Sequence, residues 1–511
     1  MPSIQSVIKN IQDIMRKDAG VDGDAQRLSQ LVWMLFLKIF DDQERECELI
    51  NPKYQSPLPL ELRWRNWATD PEGMTGDGLL EFVNNKLFKR LKDLSFDESE
   101  DPRAFTPLEI TPHDSSKARM SWRDDSRRSS SQSREFLTGF IVREVFADSY
   151  NYMKSGTLIR QVINKINEID FNKADDRHAF NDLYEHLLKE LQSAGNAGEY
   201  YTPRPLTRFV VEMVSPKLGE KVLDPACGTG GFLIDTLEYI RKQEIKTAAD
   251  EKKLQGQIHG VELKPLPHLL AITNMILHGV DTPKTLRRGD MLSQPLREYG
   301  PKDRVEVIMA NPPFGGAVKD GVEKNFPAEF RTRETADLFL VLFIHLLKPN
   351  GRAGIVLPDG SLFGEGVKTA IKKKLLEECN VHAIVRLPQG VFNPYAGVNT
   401  NLIFFTKGEP TKEIWYYQLP LPEGVKQYTK NRSITHEEFL PVKKWWNNRK
   451  ANGQAWKVSI KQIQERNYNL DFKNPNGKSA TVHKSPEELV KEIEEREKKI
   501  SNILLEIRAT I

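Results

Sequence analysis

One short motif near the middle of the chain combines an amide, a rigid backbone and an aromatic ring. Asn311-Pro312-Pro313-Phe314 follows the apolar run 305–310. An apolar run stopped by two prolines predicts a buried strand that ends in a rigid loop. That loop would present one amide side chain and one ring at a fixed place. The pairing suits an enzyme that holds an amino group on a flat ring.

A glycine-rich turn with an acid at its start is the second element. Asp224 lies at the end of a predicted strand, and Gly228, Gly230 and Gly231 precede a predicted helix. Glycines let the backbone approach a ligand closely, and ligands of open α/β sheets bind beyond the carboxyl ends of the strands. The pattern is not GxGxxG and carries an acid, which favours a nucleoside-type cofactor without a pyrophosphate. Taken alone, a tight strand-to-helix connection explains the turn equally well.

Two further acids follow later strand ends. Glu262 closes the segment 258–262 and is placed to accept hydrogen bonds from both hydroxyls of a ribose. It lies further from Asp224 than the ~20 residues of a dinucleotide fold. Asp290 follows a turn glycine and could accept a hydrogen bond from an adenine amino group. Taken alone, Glu262 is explained equally well as a surface glutamate.

The segment 198–205 (GEYYTPRP) lies upstream of the glycine-rich turn. Thr202 and Pro203 predict the start of a helix. The pair Tyr200 and Tyr201 just before it could pack on an adenine or on the amino-acid part of a cofactor. The alternative is a hydrophobic staple that serves only the helix.

Composition limits the classes of protein. A chain of 511 residues predicts two or three domains, and 74 Lys plus Arg against 71 Asp plus Glu give a net charge of +3. If DNA is the substrate, the basic contacts must therefore be local or supplied by a partner. Three scattered cysteines and a start without signal-peptide character indicate a reducing, cytoplasmic setting with no metal site. The apolar stretch 31–37 is too short for a membrane span and predicts a core helix.

Periodicity divides the chain into three regions. Residues 1–190 predict a helical N-terminal domain, 191–415 an α/β catalytic domain with a mostly parallel sheet, and 416–511 a polar, irregular region ending in a helix. The loop 113–134, rich in Ser and Arg, is interpreted as a solvated insertion in preference to a DNA contact. Six short apolar segments are predicted strands: Lys221–Leu223, Gln257–Val261, Val305–Ala310, Ala353–Leu357, Val381–Arg386 and Leu402–Thr406.

In their order and spacing, these motifs resemble those of S-adenosylmethionine-dependent DNA amino-methyltransferases. The tyrosine motif precedes the glycine-rich motif and NPPF follows it, as in the adenine-N6 group called gamma. Most of the chain is similar to the modification (M) subunit of type I restriction-modification systems. The segments that carry this wider resemblance are 182–188, 357–363, 386–392, 401–405 and 466–471.

The resemblance implies a fold and a set of site residues. The fold is α/β, a Rossmann-like S-adenosylmethionine-dependent methyltransferase domain with a helical N-terminal domain and a C-terminal helical tail. The catalytic residues implied are Asn311, Pro312, Pro313 and Phe314. The residues implied for cofactor binding are Glu199, Tyr200, Tyr201, Thr202, Pro203, Arg204, Asp224, Ala226, Gly228, Thr229, Gly230, Gly231, Glu262 and Asp290.

The implied reaction is methylation of an adenine flipped out of the duplex. The Asn311 side-chain oxygen and the Pro312 carbonyl would accept the two N–H groups, and Phe314 would stack on the base. The implied partners are DNA and a specificity (S) subunit, in a complex of two M subunits per S subunit. The terminal helix 486–507 would dock the S subunit, although its pattern equally fits a helix packed on its own domain. Whether a restriction (R) subunit joins stays open, as does the DNA target.

Several other functions stay open at this stage. RNA and protein-glutamine methyltransferases also use NPP-type motifs, but they are generally smaller. A non-catalytic scaffold with the same fold is disfavoured by the intact motifs. A nicotinamide dehydrogenase is disfavoured by the missing GxGxxG. The sequence separates adenine-N6 from cytosine-N4 methylation only through the order of its motifs.

Overall fold

The computed structural model describes residues 4–94, 132–171, 184, 201–393, 397–429 and 432–476, together with residues 494, 497, 498 and 500. Within these ranges no helix has the length and apolar character needed to cross a bilayer. Of the cofactor residues predicted above, Glu199 and Tyr200 lie outside the described residues. Residues 113–131 of the predicted loop and nearly all of the terminal helix do so as well. Residues 132–134, which the loop was predicted to include, are helical.

The N-terminal region is helical, as its periodicity predicts. Leu31–Leu37 lies inside the second helix with every side chain buried, so the predicted core helix is confirmed. A six-residue π-helical turn, Phe82–Leu87, joins the fourth and fifth helices. The helices of this region are α1 (Ile4–Met15), α2 (Asp24–Ile50), α3 (Trp64–Trp67), α4 (Gly76–Glu81), α5 (Phe88–Lys92), α6 (Gln132–Ala147) and α7 (Gly156–Ile166).

A nine-stranded sheet follows, in the spatial order β3-β2-β1-β4-β5-β7-β6-β8-β9. The strands β3, β2, β1, β4 and β5 run parallel, and β7 is antiparallel to both of its neighbours. The strands are β1 (Val222–Asp224), β2 (Ile258–Glu262), β3 (Leu286–Arg288), β4 (Val305–Ala310), β5 (Leu347–Pro358), β6 (Cys379–Arg386), β7 (Thr400–Lys407), β8 (Glu413–Gln418) and β9 (Ala455–Ser459). All six predicted strands are present.

The sheet continues past the point where an irregular region was expected. β8 pairs parallel with β6, and β9 pairs with β8 at the sheet edge. The expectation of an irregular region from residue 416 onwards is therefore wrong for the described residues that form the end of β8 and β9, and the predicted domain boundary at 415 falls inside β8. In β8 the side chains of Ile414, Tyr416 and Tyr417 are buried, and only the first half of the strand alternates between exposed and buried positions.

Helices cover the sheet and connect its strands. They are α8 (Arg204–Val214), α9 (Gly231–Glu244), α10 (Ala248–Gln257), α11 (Pro265–Leu277), α12 (Thr335–Leu346), α13 (Asp359–Phe363), α14 (Val367–Glu378), α15 (Leu440–Trp446) and α16 (Ile460–Glu465). The charged segment between β1 and β2 forms α10, whose start has a capping box between Thr247 and Asp250. This extra helix accounts for the long distance in sequence between Asp224 and Glu262.

The helical region packs on the side of the sheet that carries β1, β2 and β3. One cluster of buried apolar residues includes Trp33 and Phe36 of α2 together with Leu270 of α11 and Leu233 of α9. In addition, the Tyr184 hydroxyl donates to the Leu270 carbonyl at 3.1 Å. The helical region and this half of the sheet therefore share one hydrophobic core.

Candidate active site

Four polar side chains follow the carboxyl ends of four neighbouring parallel strands. Asp224 ends β1, Glu262 ends β2, Asp290 lies two residues after β3, and Asn311 directly follows β4. Because these strands are adjacent in the order β3-β2-β1-β4, the four side chains lie along one edge of the sheet. Ligands of open α/β sheets bind at this edge, which we call the ligand edge.

The two acids in the middle of this edge are almost fully buried. Asp224 is 2% exposed and Glu262 is 6% exposed. Burial raises the pKa of both carboxyls, and the neighbouring Glu262 raises the pKa of Asp224 further. Buried carboxylates need hydrogen-bond donors, so this part of the edge suits a ligand that carries hydroxyl or amino groups.

Backbone N–H groups hold each of the three acids in place. The amide of the residue two positions later donates to each carboxylate, at 3.1 Å to Asp224, 2.7 Å to Glu262 and 2.9 Å to Asp290. A second donor, the Gly228 amide, reaches the other oxygen of Glu262 at 2.9 Å. The glycine-rich turn and the β2 acid are therefore tied together directly.

The glycine-rich turn depends on left-handed backbone at two positions. Gly228 has φ 55° and Gly230 has φ 82°, values that side-chain-bearing residues rarely adopt. The Cys227 amide donates to the Val261 carbonyl at 3.0 Å, and the Asn274 side chain donates to the Thr229 carbonyl at 3.1 Å. These bonds fix the turn against β2 and α11 and leave the backbone of the turn close to the ligand edge.

The segment before α8 reaches both halves of the edge. Arg204 Nη1 donates to the Gly231 carbonyl at 2.7 Å, which ties the segment to the glycine-rich turn. The Thr202 hydroxyl accepts from Asn311 Nδ2 at 3.0 Å, which ties it to the NPPF loop. Tyr201 and Pro203 are buried beside these contacts. The structure thus brings together two motifs that are far apart in sequence.

The expected start of α8 needs a correction. Thr202 and Pro203 predicted a helix start, in which threonine would be the preferred capping residue. The N-cap is in fact Pro203, and no side chain caps the helix. The Thr202 hydroxyl lies outside the cap and is used by Asn311 instead. Propensity rules see only the neighbours in sequence, whereas this hydroxyl finds its partner across the fold.

The NPPF loop presents an amide and a ring. Asn311 Oδ1 is buried and has no hydrogen-bond partner among the described residues. Pro312 is buried, Pro313 is exposed and Phe314 is half-buried. The Phe314 ring meets the ring of Phe392 edge-on, with centroids 5.9 Å apart and an angle of 84° between the planes. The loop therefore offers an unsatisfied acceptor and a braced aromatic surface.

Comparisons with known proteins agree with this geometry. Residues 175–484 match the family model described as N-6 DNA Methylase, and residues 4–120 match the one described as HsdM N-terminal domain. The chain is 53% identical to the type I restriction enzyme EcoEI methylase subunit of Escherichia coli, over 99% of this chain and 97% of the relative. The chain belongs to the methylase subunits of type I restriction enzymes. The predicted family and fold class are confirmed.

Solved structures of methylase subunits share the fold. A modification subunit of a type I restriction enzyme from Vibrio vulnificus YJ016 is 40% identical, with a TM-score of 0.77 over 94% of this chain and 98% of that one. A chain from a study of complex assembly in a type I restriction-modification system is 35% identical, with a TM-score of 0.77 over 99% and 98%. The likeness therefore includes the helical region as well as the sheet.

Two apolar residues beside the predicted site of this methylase subunit were not among the predicted site residues. Leu263, directly after Glu262, is 47% exposed, an unusual position for leucine at the ligand edge. Phe392 braces Phe314 from the loop after β6. An apolar residue directly after a strand-end acid is a usable signal for Leu263. No local signal identifies Phe392, because its contact depends on the order of the strands.

The helical region also contacts the ligand edge at β3. The Arg288 amide donates to Glu144 of α6 at 3.3 Å, and the Arg288 side chain pairs with Asp148 just after α6. Arg288 is the last residue of β3, two positions before Asp290. The N-terminal helices of the methylase subunit therefore hold the strand end that carries the third acid.

Proposed function

We propose that this chain transfers a methyl group from S-adenosylmethionine to N6 of an adenine flipped out of double-stranded DNA. The observation that carries the proposal is the Asn311 side chain. Its Nδ2 is held by Thr202, while its buried Oδ1 has no donor among the described residues. A buried acceptor without a donor is unfavourable, so a ligand N–H group that donates to Asn311 Oδ1 would be stabilised at this edge.

The residues of the cofactor side fit S-adenosylmethionine. Under this proposal the two oxygens of Glu262, each of which accepts one backbone amide, also accept the ribose hydroxyls, and Asp290 accepts from the adenine amino group. Two buried acids disfavour a phosphate and favour a ligand with positive charge. When bound, the cofactor supplies an electrophilic methyl group on a positively charged sulfur.

The protein's own groups prepare the nucleophile. The lone pair of an exocyclic adenine nitrogen is delocalised into the ring, so the amino group is a poor nucleophile. Asn311 Oδ1 accepts one N–H of this group and the Pro312 carbonyl accepts the other, which favours a tetrahedral nitrogen with its lone pair exposed. An amide accepts without acting as a full base. Phe314, braced by Phe392, stacks on the flipped base.

The chain works with partners under this proposal. It has a near-neutral net charge of +3, so its own surface is a weak general DNA binder. We propose that a specificity (S) subunit selects the DNA sequence, with two copies of this chain per S subunit, and that a restriction (R) subunit can join them. The likeness to a chain from a study of complex assembly in a type I restriction-modification system supports assembly with partners.

The direct test is Asn311→Ala in the full-length chain combined with its S subunit. Methyl transfer from labelled S-adenosylmethionine to duplex DNA should fall at least about 100-fold, because the acceptor for the amino group is lost. Cofactor affinity measured by calorimetry should stay within about twofold, since Asn311 lies on the base side. Asn448→Ala, at an exposed asparagine after α15, is the matched control.

Three outcomes would contradict the proposal. Near-normal transfer by Asn311→Ala would remove the role of the amide. Transfer by the unaltered chain to RNA or to protein glutamine, with none to DNA, would show that DNA is not the substrate. Methylation at cytosine N4 instead of adenine N6, read by mass spectrometry of the digested DNA, would replace the target atom.

A further inference from the structure

Thr202 occupies a position where a threonine normally serves the helix that follows. Threonine before a helix usually accepts from a backbone amide of the first turn. In this chain the cap is Pro203, whose carbonyl accepts from the Leu206 amide at 2.9 Å. The Thr202 hydroxyl is instead 3.0 Å from Asn311 Nδ2. Its side chain therefore serves the NPPF loop.

The position of Thr202 is itself fixed from two sides. On one side α8 begins at Arg204, whose guanidinium donates to the Gly231 carbonyl at 2.7 Å and lies 4.0 Å from the buried Asp235. On the other side Tyr201 is only 4% exposed. A hydroxyl held between an anchored helix start and a buried ring is a firm point of attachment for the Asn311 amide.

The orientation of that amide decides what it can bind. With Nδ2 on Thr202, the acceptor Oδ1 is left open and can take an N–H from an amino group. With the amide turned over, Nδ2 would face the amino group and two donors would oppose each other. A threonine hydroxyl can satisfy either end of the amide, but only the first orientation leaves an acceptor for the substrate.

We propose that Thr202 is a positioning residue for methyl transfer. By holding Asn311 Nδ2, it keeps Oδ1 directed to the target amino group and joins the cofactor segment to the base-binding loop. The inference rests on the proposed function and goes beyond the cofactor contact expected for Thr202. The role of Thr202 thus differs from that of Pro203, which caps α8, and from that of Arg204, which donates to the glycine-rich turn.

The test compares Thr202→Val, which keeps the shape and removes the hydroxyl, with Thr202→Ser, which keeps the hydroxyl. In the full-length chain with its S subunit and duplex DNA, Thr202→Val should lower kcat about 10-fold, as expected for one lost hydrogen bond. KM for DNA and the cofactor Kd should stay within about twofold. Thr202→Ser should recover most of kcat.

Thr369→Val is the matched control, because the Thr369 hydroxyl has no partner among the described residues and lies on α14. A second readout needs no substrate. In protein labelled with ¹⁵N at asparagine, the Asn311 side-chain NH₂ signals, assigned by their loss in Asn311→Ala, should shift in Thr202→Val and stay near their original position in Thr202→Ser.

The outcomes separate this inference from the proposed function. If the unaltered chain methylates adenine and Thr202→Val keeps its kcat, the positioning role is wrong and the function stands. A loss of cofactor affinity with unchanged kcat would assign Thr202 to the cofactor alone and also overturn the inference. Failure of the unaltered chain to methylate adenine would reject the function, and unshifted Asn311 signals in Thr202→Val would then reject the positioning as well.

Discussion

The two halves of the ligand edge are built in different ways. In the cofactor half, formed by Asp224, Glu262 and Asp290, each acid accepts from the backbone amide two residues later. In the base half, formed by Asn311 and Phe314, the partners come from distant segments. Asn311 is held by Thr202, 109 residues away, and Phe314 is braced by Phe392 in the loop after β6.

The origin of these partners determines how far each half depends on local sequence. A carboxylate held by the turn that follows it can form wherever a strand ends in that turn, so each acid of the cofactor half has a locally encoded hydrogen bond. Glu262 accepts in addition from the more distant Gly228 amide. An amide and a ring held by remote side chains require β4 to lie between β1 and β5. The base half therefore exists only in the complete sheet.

The strongest test of the cofactor half is Glu262→Ala. Loss of two charge-assisted hydrogen bonds to ribose hydroxyls should weaken S-adenosylmethionine binding about 100-fold in calorimetry. At saturating cofactor, most of kcat should return, because Asn311 and its partner are untouched. Glu413→Ala, at an exposed glutamate on β8, is the control and should bind normally. A kcat that stays low at saturation would show that the halves are not separable.

The corresponding test of the base half is Phe314→Ala. Losing a stacking surface worth ~1–3 kcal/mol should lower kcat/KM for DNA about 10-fold without abolishing transfer. Cofactor affinity should not change, because the ring contact of Phe314 is with Phe392, outside the cofactor half. Phe363→Ala removes a phenylalanine that is 51% exposed and serves as the control. An unchanged rate would count against stacking.

Acidification should weaken the cofactor half in particular. Burial raises the pKa of Glu262 above its ordinary value of 4.5, while the amides of Lys264 and Gly228 lower it. The ionised form accepts the ribose hydroxyls, so affinity is full above the raised pKa and falls as pH drops through it. The folding stability of the free protein depends on pH in the opposite direction. Because the raised pKa means that the native state binds the proton more tightly than the unfolded chain, the contribution of Glu262 to folding stability falls as pH rises.

Calorimetric titrations of the cofactor at several pH values measure this dependence. Glu262→Gln should give weaker binding with a smaller pH dependence, because the titrating carboxyl is gone while the side chain keeps its volume. Equal pH profiles for the variant and the unaltered chain would assign the titration to Asp224 or to another group.

The smallest effect is expected where the helical region contacts the cofactor half. Asp148→Asn removes the charge paired with Arg288 at the end of β3. Because both side chains are about a third exposed to solvent, the pair should contribute at most about 1 kcal/mol, and cofactor affinity should fall no more than about fivefold. Glu61→Gln breaks the pair with Arg90 elsewhere in the helical region and should leave affinity unchanged. A larger loss of cofactor affinity in Asp148→Asn would mean that the cofactor half depends on the helical region more than its local hydrogen bonds indicate.

The sequence contains most of the cofactor half directly. A strand-end acid, a cluster of glycines and short apolar runs are local patterns, and they predicted Asp224, Glu262 and the glycine-rich turn in the places where the structure has them. The core helix over 31–37 was predicted for the same reason, because a continuous apolar run is usually buried. β3 was expected only as the strand end before Asp290, without a range, and β8 and β9 were missed because their short patterns are weak.

The tertiary structure alone decided how the base half is assembled. Capping rules assigned Thr202 to α8, whereas the fold gives its hydroxyl to Asn311. The brace from Phe392 and the hold of α6 on β3 likewise depend on which strands and helices become neighbours. The physical reason is range: turn hydrogen bonds act between residues a few positions apart, while side-chain contacts across a sheet depend on an order of strands that no local pattern records.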